Sequence, residues 1–317
     1  MVAPATGTRN GEHAVTKLRF DDRVAVVTGA GRGIGRAHAL LLAARGARVV
    51  VADFGVAIDG TGSDSNPAAD VVGEIVQAGG EAVACFADVS DEAGAASVVT
   101  TALERFGRID IVVNNAGIHD PALFPDLTTS QFRRMLDVHL FGAIVVTRSA
   151  WPHFVRAGYG RIVNTCSEAM LGGIPELTSY AAAKGAVFGL TRTLALEGTA
   201  HGIAANAIAP RAYTRMSASS SDALAEQLGM PKEVMDQVNA AMPPDMCAPG
   251  MAYLAHESCR LNGEVLQVGM GGVARLAVVR TQGLTKPGMT PEDIADNIDA
   301  ILDTTDAQVT ASVLGDG

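Results

Sequence analysis

The chain has 317 residues and a formal net charge of −10, with 48% hydrophobic but only 4% aromatic residues. This length can form one large α/β domain or two smaller ones. The acidic balance argues against a nucleic-acid binder and against attachment to an anionic membrane surface. The apolar content is mostly Ala, Val, Leu and Ile, which suits helices packed on a parallel sheet.

The cysteines and the N-terminus bear on the compartment. The four cysteines are scattered and show no metal-ligand spacing, so we expect no metal site and reduced thiols in a cytoplasmic protein. No apolar run approaches the ~18 residues that a membrane-spanning helix needs. Residues 1–19 lack the apolar segment of a secretory signal and are predicted to be a flexible arm.

Three consecutive segments near the N-terminus have the pattern of a dinucleotide-binding unit. An apolar run at 24–27 predicts a buried strand, T-G-A-G-R-G-I-G fills 28–35, and helical spacing continues as far as Arg45. Strand, glycine turn and helix in this order predict a phosphate-binding unit, with the N-terminus of the helix facing the anion. No G-K-[ST] sequence follows, which argues against a nucleotide triphosphatase loop.

The glycines of this turn have separate expected roles. Gly29 allows the tight turn, Gly33 lets the backbone approach a pyrophosphate, and Gly35 permits close packing of the helix. The cofactor-binding residues predicted in this turn are Gly29, Arg32, Gly33, Ile34 and Gly35.

Asp53 stands at the end of the second predicted strand, 48–52. A carboxylate at that place can accept both ribose hydroxyls of an adenosine and would repel a 2′-phosphate, so the sequence favours NAD over NADP. The alternative is an aspartate that only caps a turn. The polar, Gly-rich segment 55–68 is predicted to be a surface loop.

Two further strand ends supply predicted cofactor contacts. The third strand is predicted at 82–86, and the fourth, 109–113, runs into the sequence N-N-A-G. Asn114 can hold the central strands in register, and the glycine of this motif leaves room beside the cofactor. The predicted contacts from these two strand ends are Asp88, Val89, Asn115, Ala116 and Gly117.

The strongest chemical signal lies between Ser167 and Lys184. A fifth strand at 160–164 delivers Ser167, and a helix at 179–197 carries Tyr180 and Lys184 on one face, since they are four residues apart. A cation beside a phenol moves the phenol's pKa toward working pH, and such a tyrosine can exchange a proton with an alcohol or a carbonyl. The alternative is a chance Y-x-x-x-K pattern on a surface helix.

The segment 211–246, after a sixth strand at 204–208, interrupts the alternation of strands and helices. It holds Met216, Leu224, Leu228, Met230, Met235, Met242 and Met246. Flexible thioethers at this position predict a lid over an adaptable substrate pocket, or else two amphipathic helices whose methionines fill the core. A seventh strand is predicted at 263–268, and 273–317 form a C-terminal extension with a helix starting at Thr290.

The motifs T-G-x-x-x-G-x-G, N-N-A-G and S-x12-Y-x3-K together resemble the short-chain dehydrogenase/reductase family over residues 20–272. The resemblance implies a Rossmann-type, doubly wound, seven-stranded parallel sheet in three α/β/α layers. It also implies hydride transfer between a nicotinamide and a carbon that bears the hydroxyl or carbonyl. Tyr180 would be the general acid/base, Lys184 would bind the nicotinamide ribose, and Ser167 would bond the substrate oxygen. Pro210 and Thr214 would contact the cofactor.

Two departures from the family pattern stand out. His139 replaces the usual asparagine, in V-H-L-x-G, so a water-mediated proton relay requires that His139 substitutes for it; the alternative is a buried histidine with no proton role. Arg211 replaces the glycine of the usual Pro-Gly, so the loop after the sixth strand is expected to follow another path.

The sequences V-H-L-x-G, Y-G-R-I-V and H-E-S-C-x-x-N-G resemble one branch of the family, formed by the (3R)-hydroxyacyl-CoA dehydrogenase parts of peroxisomal multifunctional enzymes, which include 17β-hydroxysteroid dehydrogenase type 4. This branch implies NAD, a homodimer and a lipid-like substrate. The assembly is predicted to be a homodimer or a homotetramer. The leading prediction is a dehydrogenase for a 3-hydroxyacyl-CoA. The alternatives are a dehydrogenase for free 17β-hydroxysteroids and a non-catalytic NAD-binding regulator. Candidate cations for the CoA phosphates are Arg211, Arg215, Arg260 and Arg275.

Overall fold

A computed structural model describes residues 17–218, 221, 225–226 and 229–310. The first sixteen residues of the predicted arm lie outside the described residues, as do Leu224 and Leu228 of the predicted lid.

Eight strands form the main sheet, in the order β3-β2-β1-β4-β5-β6-β7-β8. The strands are β1 (Val24–Thr28), β2 (Arg48–Ala52), β3 (Glu81–Cys85), β4 (Ile111–Asn114), β5 (Gly160–Thr165), β6 (Ile203–Arg211), β7 (Val265–Gly269) and β8 (Gly272–Leu276). The first seven are parallel, and β8 is antiparallel to β7. The order reverses between β1 and β4, and in such sheets ligands bind at the carboxyl ends of the strands beside the reversal.

Helices cover both faces of this sheet. They are α1 (Gly33–Ala44), α2 (Asn66–Gln77), α3 (Glu92–Phe106), α4 (Thr129–Leu136), α5 (Gly142–Ala157), α6 (Thr178–Gly198), α7 (Arg215–Ala218), α8 (Lys232–Ala240), α9 (Ala248–Ala255), α10 (Pro291–Asp296) and α11 (Ile298–Leu302). One apolar core packs α1, α2 and α9 on the sheet, and a second packs α3, α5 and the end of α6 on the other face. The predicted three-layer α/β/α class is therefore confirmed.

The central strands are apolar on both faces because helices cover both. Every residue of β1, V-A-V-V-T, is buried, as is typical of parallel strands. By contrast, β8 is exposed along most of its length and carries Arg275, which pairs with Glu264 at 2.6 Å. This charged, solvent-facing strand lacks the apolar run that marks its neighbours, and the sequence did not predict it.

The C-terminal extension is less helical than the sequence predicted. It begins within β8 and contains a second, two-stranded sheet formed by β9 (Val279–Arg280) and β10 (Gln308–Val309). The helix predicted at Thr290 is present as α10, where Thr290 and Asp293 form a reciprocal capping box. The predicted limits of the arm, the catalytic unit and the extension stay predictions.

Helices α4 and α5 are joined by a π-helical turn, Asp137–Phe141. Helix α5 continues through Pro152 to Ala157. Proline removes one backbone donor, and here the buried face of α5 keeps the helix intact. The π-turn carries His139.

Within the described residues no helix is long and apolar enough to span a membrane, and no cluster of acidic, histidine and cysteine side chains could hold a metal ion. All of the cysteines are free thiols, and Cys85, Cys166 and Cys247 are buried.

His38 provides a test of the core around α1. Its side chain is fully buried, neither ring nitrogen has a hydrogen-bond partner, and burial lowers its pKa to about 3. Below pH ~6.5 the unfolded chain binds a proton that the folded protein does not, so stability should fall as the pH falls. We expect His38→Leu to stabilise the protein, and the gain to grow by about 2 kcal/mol between pH 7 and pH 5.

The measurement is the free energy of unfolding in urea at both pH values. The matched control is His201→Leu, at an exposed histidine. A gain for His38→Leu that does not change with pH would contradict the prediction.

Candidate active site

A cavity of about 340 Å³ lies at the carboxyl edge of the sheet, beside the reversal of strand order. Every cofactor-binding residue predicted from the sequence lines it, and so do His139, Tyr180 and Lys184. Ser167 is not part of this lining, but its hydroxyl is near enough to the Tyr180 phenol to lower the pKa of that group. The structure thus brings the predicted residues together in one place.

The glycine turn between β1 and α1 is packed too closely to accept side chains. A Cβ on Gly35 would lie 2.2 Å from the carbonyl oxygen of Gly29, and one on Gly29 would lie 2.8 Å from Cα of Ala116. Gly29 and Gly33 also have positive φ angles of 63° and 54°, which side chains disfavour. A Cβ on Gly33 would meet only Thr214, at 3.6 Å, so the backbone at Gly33 is open to the cavity.

Hydrogen bonds fix this turn against β4. The Asn115 side-chain amide donates to the carbonyl oxygens of Thr28 and Gly29, at 3.0 and 3.2 Å. Asn114 points the other way and donates to Asn164 on β5 at 2.8 Å. The predicted register-holding role of Asn114 therefore agrees with the contact, while Asn115 performs the bond that shapes the turn.

The Asp53 carboxylate lines the cavity and organises the turn around it. One oxygen accepts the backbone N–H of Gly31 at 2.7 Å, and the other accepts that of Gly55 at 2.6 Å. Each carboxylate oxygen has a further lone pair, so a turn-capping aspartate can also receive ribose hydroxyls. An open backbone at the N-terminus of α1 and an acid at the end of β2 fit a nicotinamide dinucleotide.

Tyr180 and Lys184 lie on α6 at the inner end of the cavity. The Lys184 Nζ is 5.5 Å from the centre of the Tyr180 ring and donates to the Thr165 carbonyl oxygen at 2.6 Å. The ammonium group is therefore over the ring face and is held by β5. The Ser167 hydroxyl, at the end of β5, accepts from the backbone N–H of Ala169 at 3.2 Å.

The pKa values of this pair differ from the expectation that the lysine lowers the pKa of the phenol. Burial raises the pKa of Tyr180 to about 12, although the Ser167 hydroxyl opposes the shift. Burial also lowers the pKa of Lys184 to about 8. Removal from water is the largest cause of both shifts, since each group loses the hydration of its charged form.

His139 is buried beside Tyr180 and is neutral. Its Nε2 lies 3.1 Å from the backbone nitrogen and 2.9 Å from the carbonyl oxygen of Ile118, and its ring contacts the Tyr180 ring edge-on at 5.3 Å. Burial, with the nearby charge of Lys184, lowers its pKa well below the ordinary value. A second histidine, His119, also meets the Tyr180 ring edge-on, at 6.0 Å.

A second cavity, of about 10 Å³, lies behind Lys184. Three residues of its wall each have a buried polar atom without a partner: Asn114 Oδ1, His139 Nδ1 and Thr165 Oγ1. A space of this size holds one water molecule, and a polar wall favours it.

The segment after Asp53 is a wall of the larger cavity, so its prediction as a surface loop was wrong in part. Val56, Ile58 and Gly60 line the cavity, and the carbonyl oxygen of Ile58 accepts the backbone N–H of His119 at 2.8 Å. Val56 packs in one apolar cluster with Ile118 and Tyr180. The short apolar run V-A-I inside a polar stretch was the signal that the sequence offered.

At Arg211, which replaces the usual glycine, the chain does not turn after the sixth strand. Strand β6 continues through Arg211, which pairs with Gly269 of β7 instead of turning. Its guanidinium forms two hydrogen bonds with the Glu168 carboxylate, at 2.7 and 2.8 Å. The chain after it reaches the cavity, where Thr214 and Met216 line the wall. The lid at 211–246 stays a prediction.

The arginines considered for CoA phosphates are not gathered at the cavity. Arg211 is paired with Glu168 and Arg275 with Glu264. Arg260 is exposed and does not line the cavity, whereas Arg215 does. Arg134, which the sequence did not single out, also lines it and pairs with Asp120 at 2.7 Å.

A fold that holds a dinucleotide-binding turn within reach of a tyrosine and a lysine on one helix defines the protein as a nucleotide-dependent oxidoreductase. Its family follows from comparison with known proteins. The family model described as short chain dehydrogenase matches residues 23–225, and the chain belongs to the short-chain dehydrogenase/reductase family.

Relatives within the family include the predicted branch. The chain is 43% identical over 290 residues to a putative short-chain type dehydrogenase/reductase of Mycobacterium tuberculosis, covering 91% of this chain and 96% of the relative. It is 42% identical over 294 residues to the peroxisomal multifunctional enzyme type 2 of Mus musculus, covering 92% of this chain but only 38% of that protein. The solved full-length peroxisomal multifunctional enzyme type 2 of Drosophila melanogaster aligns with a TM-score of 0.74 at 32% identity, covering 94% of this chain and 48% of that one.

Lys184 provides a test of the cost of burying the site. Its pKa of about 8 lies below that of an exposed lysine, so the charged form destabilises the fold at neutral pH. We expect Lys184→Met to raise the free energy of unfolding at pH 7 by on the order of 2 kcal/mol, while activity is lost. Between pH ~8 and ~10 the unfolded chain binds more protons than the native protein, so wild-type stability rises and the advantage should shrink.

Urea unfolding at pH 7 and pH 9.5 measures this difference. The exposed Lys17 supplies the control variant, Lys17→Met, which should change neither stability nor activity. A Lys184→Met protein less stable than wild type at pH 7 would contradict the reading of Lys184 as a destabilising buried charge.

Proposed function

We propose that the protein is an NAD-dependent dehydrogenase that interconverts a secondary alcohol and a ketone, with a 3-hydroxyacyl-CoA, of a fatty-acyl or steroid side chain, as its substrate. The observation that carries the proposal is that the Lys184 Nζ lies 5.5 Å from the centre of the Tyr180 ring, in the same cavity that begins at the glycine turn. Relatives named peroxisomal multifunctional enzyme support the substrate class.

The proposed roles follow from what each side chain can donate or accept. Ser167 and Tyr180 both hydrogen-bond the substrate oxygen, and Tyr180 removes the hydroxyl proton or returns it to the carbonyl. Lys184 binds the nicotinamide ribose and, as an ammonium near the phenol, favours the phenolate. The nicotinamide supplies the hydride acceptor when it is bound.

His139 is proposed to hold a water molecule through which the proton of Tyr180 is exchanged. Because burial lowers its pKa, the imidazole is a poor carrier of positive charge but a good hydrogen-bond partner. A water in the small cavity behind Lys184 would lie within reach of His139 Nδ1 and Thr165 Oγ1, which have no other partner. A proton taken up by Tyr180 can leave past Lys184 through this water.

The preference for NAD rests on Asp53. Its carboxylate is fixed at the end of β2 by the backbone N–H groups of Gly31 and Gly55. A 2′-phosphate placed there would meet a second negative charge, whereas two ribose hydroxyls would meet an acceptor.

The wall of the larger cavity favours an apolar substrate. Its lining includes Val56, Ile58, Ile118, Val138 and Met216. A free 17β-hydroxysteroid remains the alternative, and it is favoured by the failure of the candidate arginines to cluster around the cavity. The homodimeric or homotetrameric state and the cytoplasmic location stay predictions, and several relatives are named peroxisomal.

Tyr180→Phe separates an enzyme from an NAD-binding regulator. The variant keeps the ring and its contacts with the two histidines but loses the hydroxyl. We expect turnover to fall by about 10²–10⁴-fold, the usual contribution of a general acid/base, with the Kd for NADH unchanged. Steady-state rates and NADH fluorescence titration measure the two effects. Tyr253→Phe, on α9, is the control. Full turnover in Tyr180→Phe would refute the assigned role.

The substrate class is tested by NADH formation from NAD with a medium-chain (3R)-hydroxyacyl-CoA and with a 17β-hydroxysteroid in parallel. We expect the CoA ester to have the higher kcat/KM, because the chain resembles the (3R)-hydroxyacyl-CoA dehydrogenase parts of peroxisomal multifunctional enzymes. A higher value for the steroid would reverse the order of the two candidates. Repeating the assay with NADP tests Asp53, and activity with NADP alone would overturn the cofactor assignment.

A further inference from the structure

We propose that Arg215 and Arg32 form an anion subsite that binds the diphosphate of the dinucleotide cofactor from the side opposite to α1. The proposal rests on the proposed function only in requiring that a dinucleotide binds. The sequence made Arg215 a candidate for binding the phosphates of CoA. The present proposal assigns it to the diphosphate of the cofactor instead.

The two arginines flank one contact point in the cavity wall. Arg32 precedes Gly33 in the glycine turn, and Arg215 follows Thr214 in the chain after β6. A Cβ built on Gly33 would lie 3.6 Å from Thr214 Cγ2, so the two chain segments meet here. Both arginines line the same cavity of about 340 Å³.

The charges around this point are unbalanced. Arg215 forms no ion pair with any residue that the structure describes. Arg32 has only a loose contact with Asp64, at 3.6 Å, in which both side chains are more than a third exposed. Asp53 lines the same cavity and its charge acts on Arg215, but it forms no ion pair with either arginine among the described residues. Two guanidinium groups of the cavity lining are therefore left without a close carboxylate partner.

The electrostatic environment of Arg215 agrees with this arrangement. Burial and the charge of Arg32 lower its pKa, while Asp53 acts in the opposite direction. Because guanidinium pKa values start near ~12.5 or above, Arg215 stays charged at neutral pH. The repulsion from Arg32 is relieved when an anion lies between them, and guanidinium forks bind phosphate oxygens through paired hydrogen bonds.

The position distinguishes the diphosphate from other phosphates. Gly33 presents an open backbone at the start of α1, which is where the diphosphate of a dinucleotide lies in this type of fold. A 2′-phosphate would lie near the carboxylate of Asp53, which repels it. The 3′-phosphate of CoA would require cations beyond the cofactor, and the other candidate arginines do not line the cavity.

Binding to Arg215 would also hold the start of the segment after β6 against the glycine turn. Arg215 is the first residue of α7, and Thr214 and Met216 beside it line the cavity. The cofactor would therefore order one wall of the substrate pocket. Arg215 is a binding and positioning residue and takes no part in proton transfer.

The experiment compares ligands that differ in their phosphates. Isothermal titration measures the Kd of NADH, ADP-ribose and NADPH, and competition against NADH measures that of adenosine. In Arg215→Ala we expect the Kd of NADH and of ADP-ribose to rise together by about 10–100-fold, as for loss of a charged hydrogen bond. The Kd of adenosine should not change, and the salt dependence of NADH binding should decrease.

Two further variants sharpen the test. Arg215→Lys keeps the charge and should recover part of the loss, but not all, since the fork geometry is absent. Arg260→Ala removes the same charge at an exposed site outside the cavity and should leave every Kd unchanged. If Arg215→Ala does not fold, as judged by its thermal unfolding, Arg215→Gln replaces it.

Each remaining outcome overturns the proposal in a different way. A loss confined to NADPH would assign Arg215 to a 2′-phosphate. A rise only in KM for the CoA ester, with the Kd of ADP-ribose unchanged, would return it to CoA. If Arg215→Ala and the wild type bind every ligand with the same Kd, Arg215 has no role in anion binding. Failure of the wild-type protein to bind a dinucleotide would refute the proposed function as well.

Discussion

The rest of the site depends on reciprocal hydrogen bonds between Thr28 and Asn115. The Thr28 hydroxyl accepts the backbone N–H of Asn115 at 3.0 Å and that of Ala116 at 3.1 Å. The Asn115 amide returns two bonds to the carbonyl oxygens at the end of β1. These contacts fix the ends of β1 and β4 where the strand order reverses, so that the glycine turn can bend toward the cavity. The placement of Asp53, Tyr180 and Lys184 around that cavity follows from this junction.

At the inner end of the cavity, polar side chains are buried although they would be better hydrated in water. Lys184 is buried as a cation with one carbonyl partner, and Tyr180 and His139 are held in their neutral forms by burial. Such groups destabilise a fold unless ligands or water complete their hydrogen bonds. Stability is supplied elsewhere, by the two apolar cores that pack helices on both faces of the sheet. A bound ribose and substrate would restore the partners that the site lacks.

Local patterns predicted much of the fold and the site, because the strand, the glycine turn and the Y-x-x-x-K helix each encode their shape within a few residues. The cavity-lining role of segment 56–60 was missed because Val56 packs against Ile118 and Tyr180, which are distant in sequence. Strand β8 was missed since its residues face solvent and pair only with β7. Arg215 could not be separated from Arg211 and Arg275 by sequence, as only their partners in space distinguish them.

The reversal between β7 and β8 determines where the rest of the chain goes. Gly269 and Gly271, both with positive φ, turn the chain at the carboxyl edge, and β8 then runs back until Leu276 lies opposite Val265 at the other edge. The carbonyl oxygen of Thr310 accepts a hydrogen bond from Arg192, roughly 18 Å along α6 from Tyr180 at 1.5 Å per residue. Within the described residues, the C-terminal extension is therefore fastened to the far part of α6, and none of its side chains lines the cavity.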